Sequence, residues 1–233
     1  MTARLLDRPV GQLVAEQPAR SRVFERWGID YCCGGKKALS EACAAKSLDS
    51  AKVVHDLELS DSNDTPPETD WTKRPLAELC DHIVSVHHGY MREALPRLSM
   101  LTTKVAARHG ARDVRLAELS LVFEAFRSEM ESHMLKEETC LFPAIRTLDA
   151  GSPDQAIDET IQVMLAEHDS AGADLAKMRA LTQEFTPNSE TCNTQRAMLH
   201  GLAEMEADMH QHVHKENNIL FPRALDKVAR ASS

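Results

Sequence analysis

One stretch of this chain occurs twice, and that repeat most constrains what the chain can fold into. His133-Met134-Leu135-Lys136-Glu137-Glu138-Thr139-Cys140-Leu141-Phe142-Pro143 returns as His212-Val213-His214-Lys215-Glu216-Asn217-Asn218-Ile219-Leu220-Phe221-Pro222, with His, Lys, Glu, Leu, Phe and Pro in the same order and spacing. Each copy lies in a run that is otherwise apolar at helical spacing. Residues four apart share a helix face, so each copy aims one imidazole and one carboxylate at the same point.

The flanking sequence repeats as well. His88 precedes His133 by 45 residues and His168 precedes His212 by 44. Each half therefore offers a His on a first helix and His-x-x-x-Glu on a second. The first helix, after Thr72 and with Pro75 in its first turn, carries Leu76, Leu79, Cys80, Ile83, Val84, Met91 and Leu95 on one side. A second, from about Val114, aligns Leu119, Phe123, Phe126, Met130, His133, Glu137 and Leu141. A third, from about Asp154, aligns Ile161, Met164, Leu165, His168, Gly172, Leu175 and Met178. The fourth aligns Met198, Leu202, Met205, Met209, His212, Glu216 and Ile219. Gly110, Gly151-Ser152-Pro153 and Thr186-Pro187-Asn188 interrupt these patterns where loops are needed, which predicts an all-α protein built on an antiparallel four-helix bundle.

Ligand chemistry follows from burial. A lone His on an apolar stripe reads as a hydrogen-bonded core residue, but an ionised Glu buried without a partner costs several kcal/mol or takes up a proton. Two such carboxylates at repeat-related positions, each one turn after a His, point to bound cations. The candidate metal ligands are His88, His133, Glu137, His168, His212 and Glu216. Two ions use this set better than one, with two imidazoles each and both carboxylates shared, and an oxide or hydroxide bridge brings the charge near neutral. Each ion keeps a vacant position for a small ligand. Imidazole and carboxylate without thiolate suit iron or manganese, and the order differs from the His-Glu-x-x-His of zinc proteases. His87 competes with His88 by helical angle, while the repeat register favours His88. Glu129 and Asp208, each four residues before a ligand His, are either carboxylates that orient an imidazole or solvated helix charges. His55, His82, His109, His200, His210 and His214 fall on polar or flanking positions.

Ahead of the bundle, residues 1–58 read as short helices: Val10 to Glu16, Ala19 to Trp27 closed by Gly28, Lys37 to Lys46, and Ala51 to Leu57. Between them lies Asp30-Tyr31-Cys32-Cys33-Gly34-Gly35-Lys36-Lys37. Two thiols beside a Gly-Gly turn, a helix start and two lysines meet the conditions that lower a thiol pKa. Cys32 and Cys33 are candidate reactive residues, as a redox pair or transient metal ligands; the alternative is two small buried apolar side chains. Residues 59–71, with Pro66-Pro67 at their centre, read as a tether, and 72–230 as the bundle.

Composition sets outer limits. The net charge of −9 leaves no basic stripe for nucleic acid, and no apolar run approaches the ~18–20 residues of a membrane span. The first ten residues carry charges where a signal peptide has its apolar core. Six cysteines without CxxC spacing do not form a disulfide framework. A cytoplasmic protein is expected, and self-association as a homodimer stays open.

His88, His133-x-x-x-Glu137 ending in Leu-Phe-Pro, His168 within Glu-His-Asp, and His212-x-x-x-Glu216 ending in Leu-Phe-Pro together resemble a hemerythrin-like di-iron domain. With Asp30-Tyr31-Cys32-Cys33-Gly34-Gly35-Lys36 in front, nearly the whole chain is similar to the Repair of Iron Centres family. The resemblance implies two iron ions, with the four His as terminal ligands and Glu137 and Glu216 as bridges. It also implies functional thiols at Cys32 and Cys33. The implied activity is recovery of iron-sulfur proteins damaged by nitrosative or oxidative stress, through iron donation or reaction with nitric oxide. Scavenging or sensing of nitric oxide or oxygen, and reduction of nitric oxide, are the alternatives. Oxygen-carrying hemerythrins have a further His four residues after the one on the third helix. Here that position is Gly172, which argues against simple oxygen carriage.

Overall fold

The computed structural model describes residues 5–62, 69–149 and 157–231. Its elements in chain order are α1 (Val10–Glu16), a 3-10 turn (Pro18–Arg20), α2 (Ser21–Trp27), α3 (Leu39–Ala45), α4 (Ser50–Ser62), α5 (Leu76–His82), a π-helical turn (Ile83–His88) and α6 (Gly89–His109). There follow α7 (Val114–Lys136), a π-turn (Glu137–Leu141), α8 (Phe142–Asp149), α9 (Ile157–Leu181), α10 (Asn193–Lys215), a π-turn (Glu216–Leu220) and α11 (Phe221–Ala231). Among the described residues there is no strand beyond an isolated bridge between Pro9 and Ala38. No helix among them is long and apolar enough to cross a membrane. Among the described residues the protein is all-α: an antiparallel four-helix bundle preceded by a small helical N-terminal domain.

The chain divides into two compact units. One, built from Asp81–Arg146 and residues 157–209, holds most of the bundle. The Asp113 side chain caps α7 by accepting from Arg115 N at 3.1 Å. The expected stripes are the buried ones: Leu119, Phe123, Phe126 and Met130 on α7, Ile161, Met164, Leu175 and Met178 on α9, and Met198, Leu202, Met205 and Met209 on α10. Helix α9 ends at Leu181, ahead of the expected break at Thr186. It closes in three consecutive non-glycine residues in the left-handed region, Gln183, Glu184 and Phe185. That conformation is strained for residues with a Cβ. Arg179 holds it, pairing with Glu184 at 2.6 Å and lying 5.1 Å over the Phe185 ring. The expected helix start near Asp154 and the Gly151-Ser152-Pro153 break lie outside the described residues.

The other unit combines the described residues up to Cys80 with those from His210 onward. Its N-terminal helices enclose their own core of Val10, Leu13, Val14, Phe24, Leu39, Val53, Val54 and Leu57. Gly28 ends α2 with φ +64, the left-handed cap its position implied. Helix α4 continues to Ser62, so the first residues of the expected tether are helical, and Arg20 fastens that end through Asp61 at 2.6 Å. Residues 63–68 lie outside the described residues. At the C-terminus, Arg223 on α11 donates to the carbonyls of Trp71 (2.8 Å) and Arg74 (2.7 Å).

The π-turns after α7 and α10 have a local cause. Pro143 and Pro222 follow them, and a proline in a helix lacks an N–H and crowds the carbonyl four residues earlier. Widening the preceding turn relieves that clash. It also leaves Glu137 and Glu216 as the first residues of widened turns, a geometry that recurs at functional sites.

Candidate metal centre

The repeat-related side chains converge. Within the bundle unit, His88 Nε2 lies 3.2 Å and His133 Nε2 lies 3.4 Å from Glu137 Oε2. His168 Nε2 is 3.1 Å from His133 Nε2. In the other unit, His212 Nε2 lies 3.0 Å from Glu216 Oε1. In the bundle unit His133, Glu137 and His168 are among the buried groups spaced to hold a metal ion, as are His212 and Glu216 in the other. Glu137 and Glu216 are both fully inaccessible to solvent.

Proton bookkeeping supports a cation. His133 Nδ1 lies 2.8 Å from Glu167 Oε2, and His88 Nδ1 lies 2.6 Å from Glu138 Oε1. A carboxylate accepts, so each ring donates its Nδ1 proton outward and turns a bare Nε2 lone pair inward. Two imidazole nitrogens 3.1 Å apart, beside a buried carboxylate, need a proton or a metal ion between them. These carboxylates are themselves held: Arg92 bonds Glu138 and Lys136 bonds Glu167. Burial alone pushes both carboxyls up. The bonds from His88 and Arg92 to Glu138, and from Lys136 and His133 to Glu167, outweigh it and hold both below the usual range. The donor set therefore fits a group such as iron: imidazole nitrogens, buried carboxylates and no thiolate.

Two positions of the sequence reading change. Asp208 bonds His87 Nδ1 at 2.9 Å and Glu129 meets Ser170 at 3.4 Å, whereas Glu138 and Glu167 bond the His88 and His133 rings. A usable signal was present, since each lies next in sequence to a cluster residue, Glu138 after Glu137 and Glu167 before His168. His87 and His88 are both buried, and it is His88 that faces Glu137. His214, expected on a flank, is buried edge-on to the Tyr31 ring at 5.4 Å.

The thiol expectation also changes. Asp30 accepts from the backbone N–H groups of Cys32 (3.0 Å), Cys33 (3.0 Å) and Gly34 (2.8 Å), and from the Cys32 thiol (3.2 Å). Cys32 is buried, and its hydrogen bond with Cys33, its burial and the Asp30 charge push its thiol well above the ordinary value. The lysines expected to lower it are exposed. Cys33 is half-buried.

Fold and cluster together define a hemerythrin-like cation-binding protein, and the matching family model is the hemerythrin HHE cation binding domain, over residues 81–224. A domain of unknown function, DUF542, matches residues 6–61. Similar proteins include the iron-sulfur cluster repair protein YtfE of Citrobacter koseri, of Escherichia coli O8 and of Escherichia fergusonii. Each is 41% identical over 219 residues, covering 94% of this chain and 97% of the relative. The chain belongs to the Repair of Iron Centres family, with a hemerythrin-like domain behind an N-terminal cysteine-pair domain.

Proposed function

We propose that this protein binds two iron ions and helps restore iron-sulfur proteins damaged by nitrosative or oxidative stress. The observation that carries the reading is the pair of fully buried carboxylates set among inward-facing imidazoles. His88, His133, His168 and His212 would be terminal ligands, Glu137 and Glu216 bridges, with an oxide or hydroxide completing the resting centre. Bound iron supplies a ferrous store and a centre that reacts with nitric oxide or oxygen. The chain's own part is to exclude water around the carboxylates and to fix the His88 and His133 rings by their outward bonds to Glu138 and Glu167. Cys32 and Cys33 would serve as the thiols that exchange an ion with a damaged client, with Cys33, the more accessible, making first contact. A cytoplasmic location agrees with this role.

The test is transfer. Iron-loaded protein is incubated without oxygen with an iron-sulfur enzyme inactivated by nitric oxide, and recovery is compared with an equal amount of free ferrous iron. Faster recovery with the protein is expected, slowed at least tenfold by joint Cys32→Ala and Cys33→Ala substitution. Recovery no faster than with free iron refutes donation, and a double variant equal to wild type refutes the thiol role. Gly172, which offers no side-chain ligand, favours a second reading in which the protein scavenges or senses nitric oxide or oxygen. Stoichiometric uptake of nitric oxide without iron transfer would select it.

A further inference from the structure

Two glycines in the N-terminal domain are shaped around one side chain from the second repeat. A Cβ on Gly11 would come within 2.1 Å of Asn218 Oδ1, and one on Gly35 within 2.2 Å. Gly11 lies in α1, where alanine is ordinarily preferred, so its absence marks the space Asn218 occupies. Asn218 Nδ2 donates to the carbonyls of Tyr31 (3.2 Å) and Cys32 (3.1 Å) and sits 3.3 Å from His214 Nδ1. Asn218 belongs to the π-turn that begins at Glu216. One side chain thus joins the backbone of the cysteine loop to the turn that presents a candidate metal ligand.

The first repeat has no such device. At the matching position Thr139 is exposed, and its hydroxyl donates back to Leu135 O at 2.7 Å within the same helix. The amide at Asn218 is therefore an addition to the repeat and is not required by the turn itself.

We propose that Asn218 is a positioning residue that latches the Tyr31-Cys32-Cys33 loop to the Glu216 turn, so that metal occupancy and thiol exposure are coupled. When Glu216 is held by metal the turn is fixed, Asn218 keeps both carbonyl bonds, and the loop stays closed over Cys32. When metal leaves, the turn relaxes, both carbonyl bonds weaken without being lost, and the thiols become more accessible. The empty protein then presents the cysteine pair to an incoming ion. This rests on the reading of Glu216 as a metal ligand.

The experiment is iodoacetamide labelling of the full chain, followed cysteine by cysteine by peptide mass spectrometry, on metal-free protein and on protein loaded anaerobically with ferrous iron. Iron content is measured on the same samples, and half-buried Cys192 is the internal reference. Expected in wild type is labelling of Cys32 and Cys33 at least fivefold slower with iron than without, at an unchanged Cys192 rate. In Asn218→Ala the iron dependence disappears, and Cys32 labels about tenfold faster than in metal-free wild type. Gly11→Ala opens the loop on its own by colliding with Asn218, and adds nothing when combined with Asn218→Ala. Equal rates with and without confirmed iron in wild type, or wild-type rates in Asn218→Ala, overturn the latch. Failure of wild type to take up iron refutes the metal reading instead, and the metal-free comparison of wild type with Asn218→Ala then still decides whether Asn218 holds the loop.

Discussion

The two copies of His-x-x-x-Glu agree on the side facing the cluster and differ on the other. Inward, both set a His one turn before a fully buried Glu at the start of a π-turn. Outward, the first copy carries Leu135, 61% exposed, where the second carries His214, 3% exposed beneath Tyr31. Thr139 bonds its own helix where Asn218 bonds the cysteine loop. Glu138 holds His88, and the matching position in the second copy is Asn217. The difference separates two demands on one motif. On the proposed reading, metal binding needs the inward residues of both copies, and contact with the N-terminal domain uses the outward residues of one.

If the inward halves are equivalent, Glu137→Gln and Glu216→Gln have the same and the largest consequences. Each should cut iron to under one equivalent per chain. Each should also raise the stability of the metal-free protein by on the order of 1–3 kcal/mol, because a buried charge is replaced by a neutral amide. Metal analysis and urea titration with and without iron check both, and a variant that keeps full iron breaks the equivalence. Next come the outward carboxylates on the rings: Glu138→Gln and Glu167→Gln should each weaken iron binding by roughly 10–100-fold, read by competition with a chelator. Unchanged affinity would mean that the rings are oriented by packing alone.

The outward faces differ in how they respond to acid. Burial, and then the charge of Lys215, push His214 down to about 3. Below its ordinary value near 6.5 the unfolded chain takes up a proton that the folded His214 refuses until about pH 3. Folding stability therefore falls as pH drops through that window, by up to about 1.4 kcal/mol per pH unit. His214→Leu, which installs the first copy's residue, should flatten that part of the stability profile of metal-free protein; an unaltered slope sinks the assignment. The smallest effect belongs to the first copy's face, where Leu135→Gln should change stability by less than about 0.5 kcal/mol, measured by urea denaturation. A larger loss would mean that this face is covered.

Much of this was legible in the sequence because it is periodic. The stripes through Phe123, Phe126 and Met130, or Met205 and Met209, state a buried face by spacing alone, and the duplicated His and Glu stand where core residues belong. The glycine at position 28 stated its own backbone angle. What spacing cannot state is which partner a polar group chooses. Asp30 and Cys32 are two residues apart, yet nothing in the order of residues says that one carboxylate gathers three N–H groups and a thiol, or that the bond with Cys33 and burial raise a thiol expected to be reactive. Glu129 and Asp208 have the right offset on their own helices, while the rings take Glu138 and Glu167 from neighbouring ones. The π-turns at Glu137–Leu141 and Glu216–Leu220 also escape periodicity, since each shifts the register ahead of the proline that accounts for it.

The central claim is that two buried carboxylates are shared by two metal ions. Iron per chain, measured by elemental analysis after anaerobic reconstitution and removal of loosely bound metal, tests it most directly. The account predicts two equivalents, reduced together when either Glu137 or Glu216 becomes glutamine. One equivalent or less in the wild-type chain, or two retained in both variants, would contradict it.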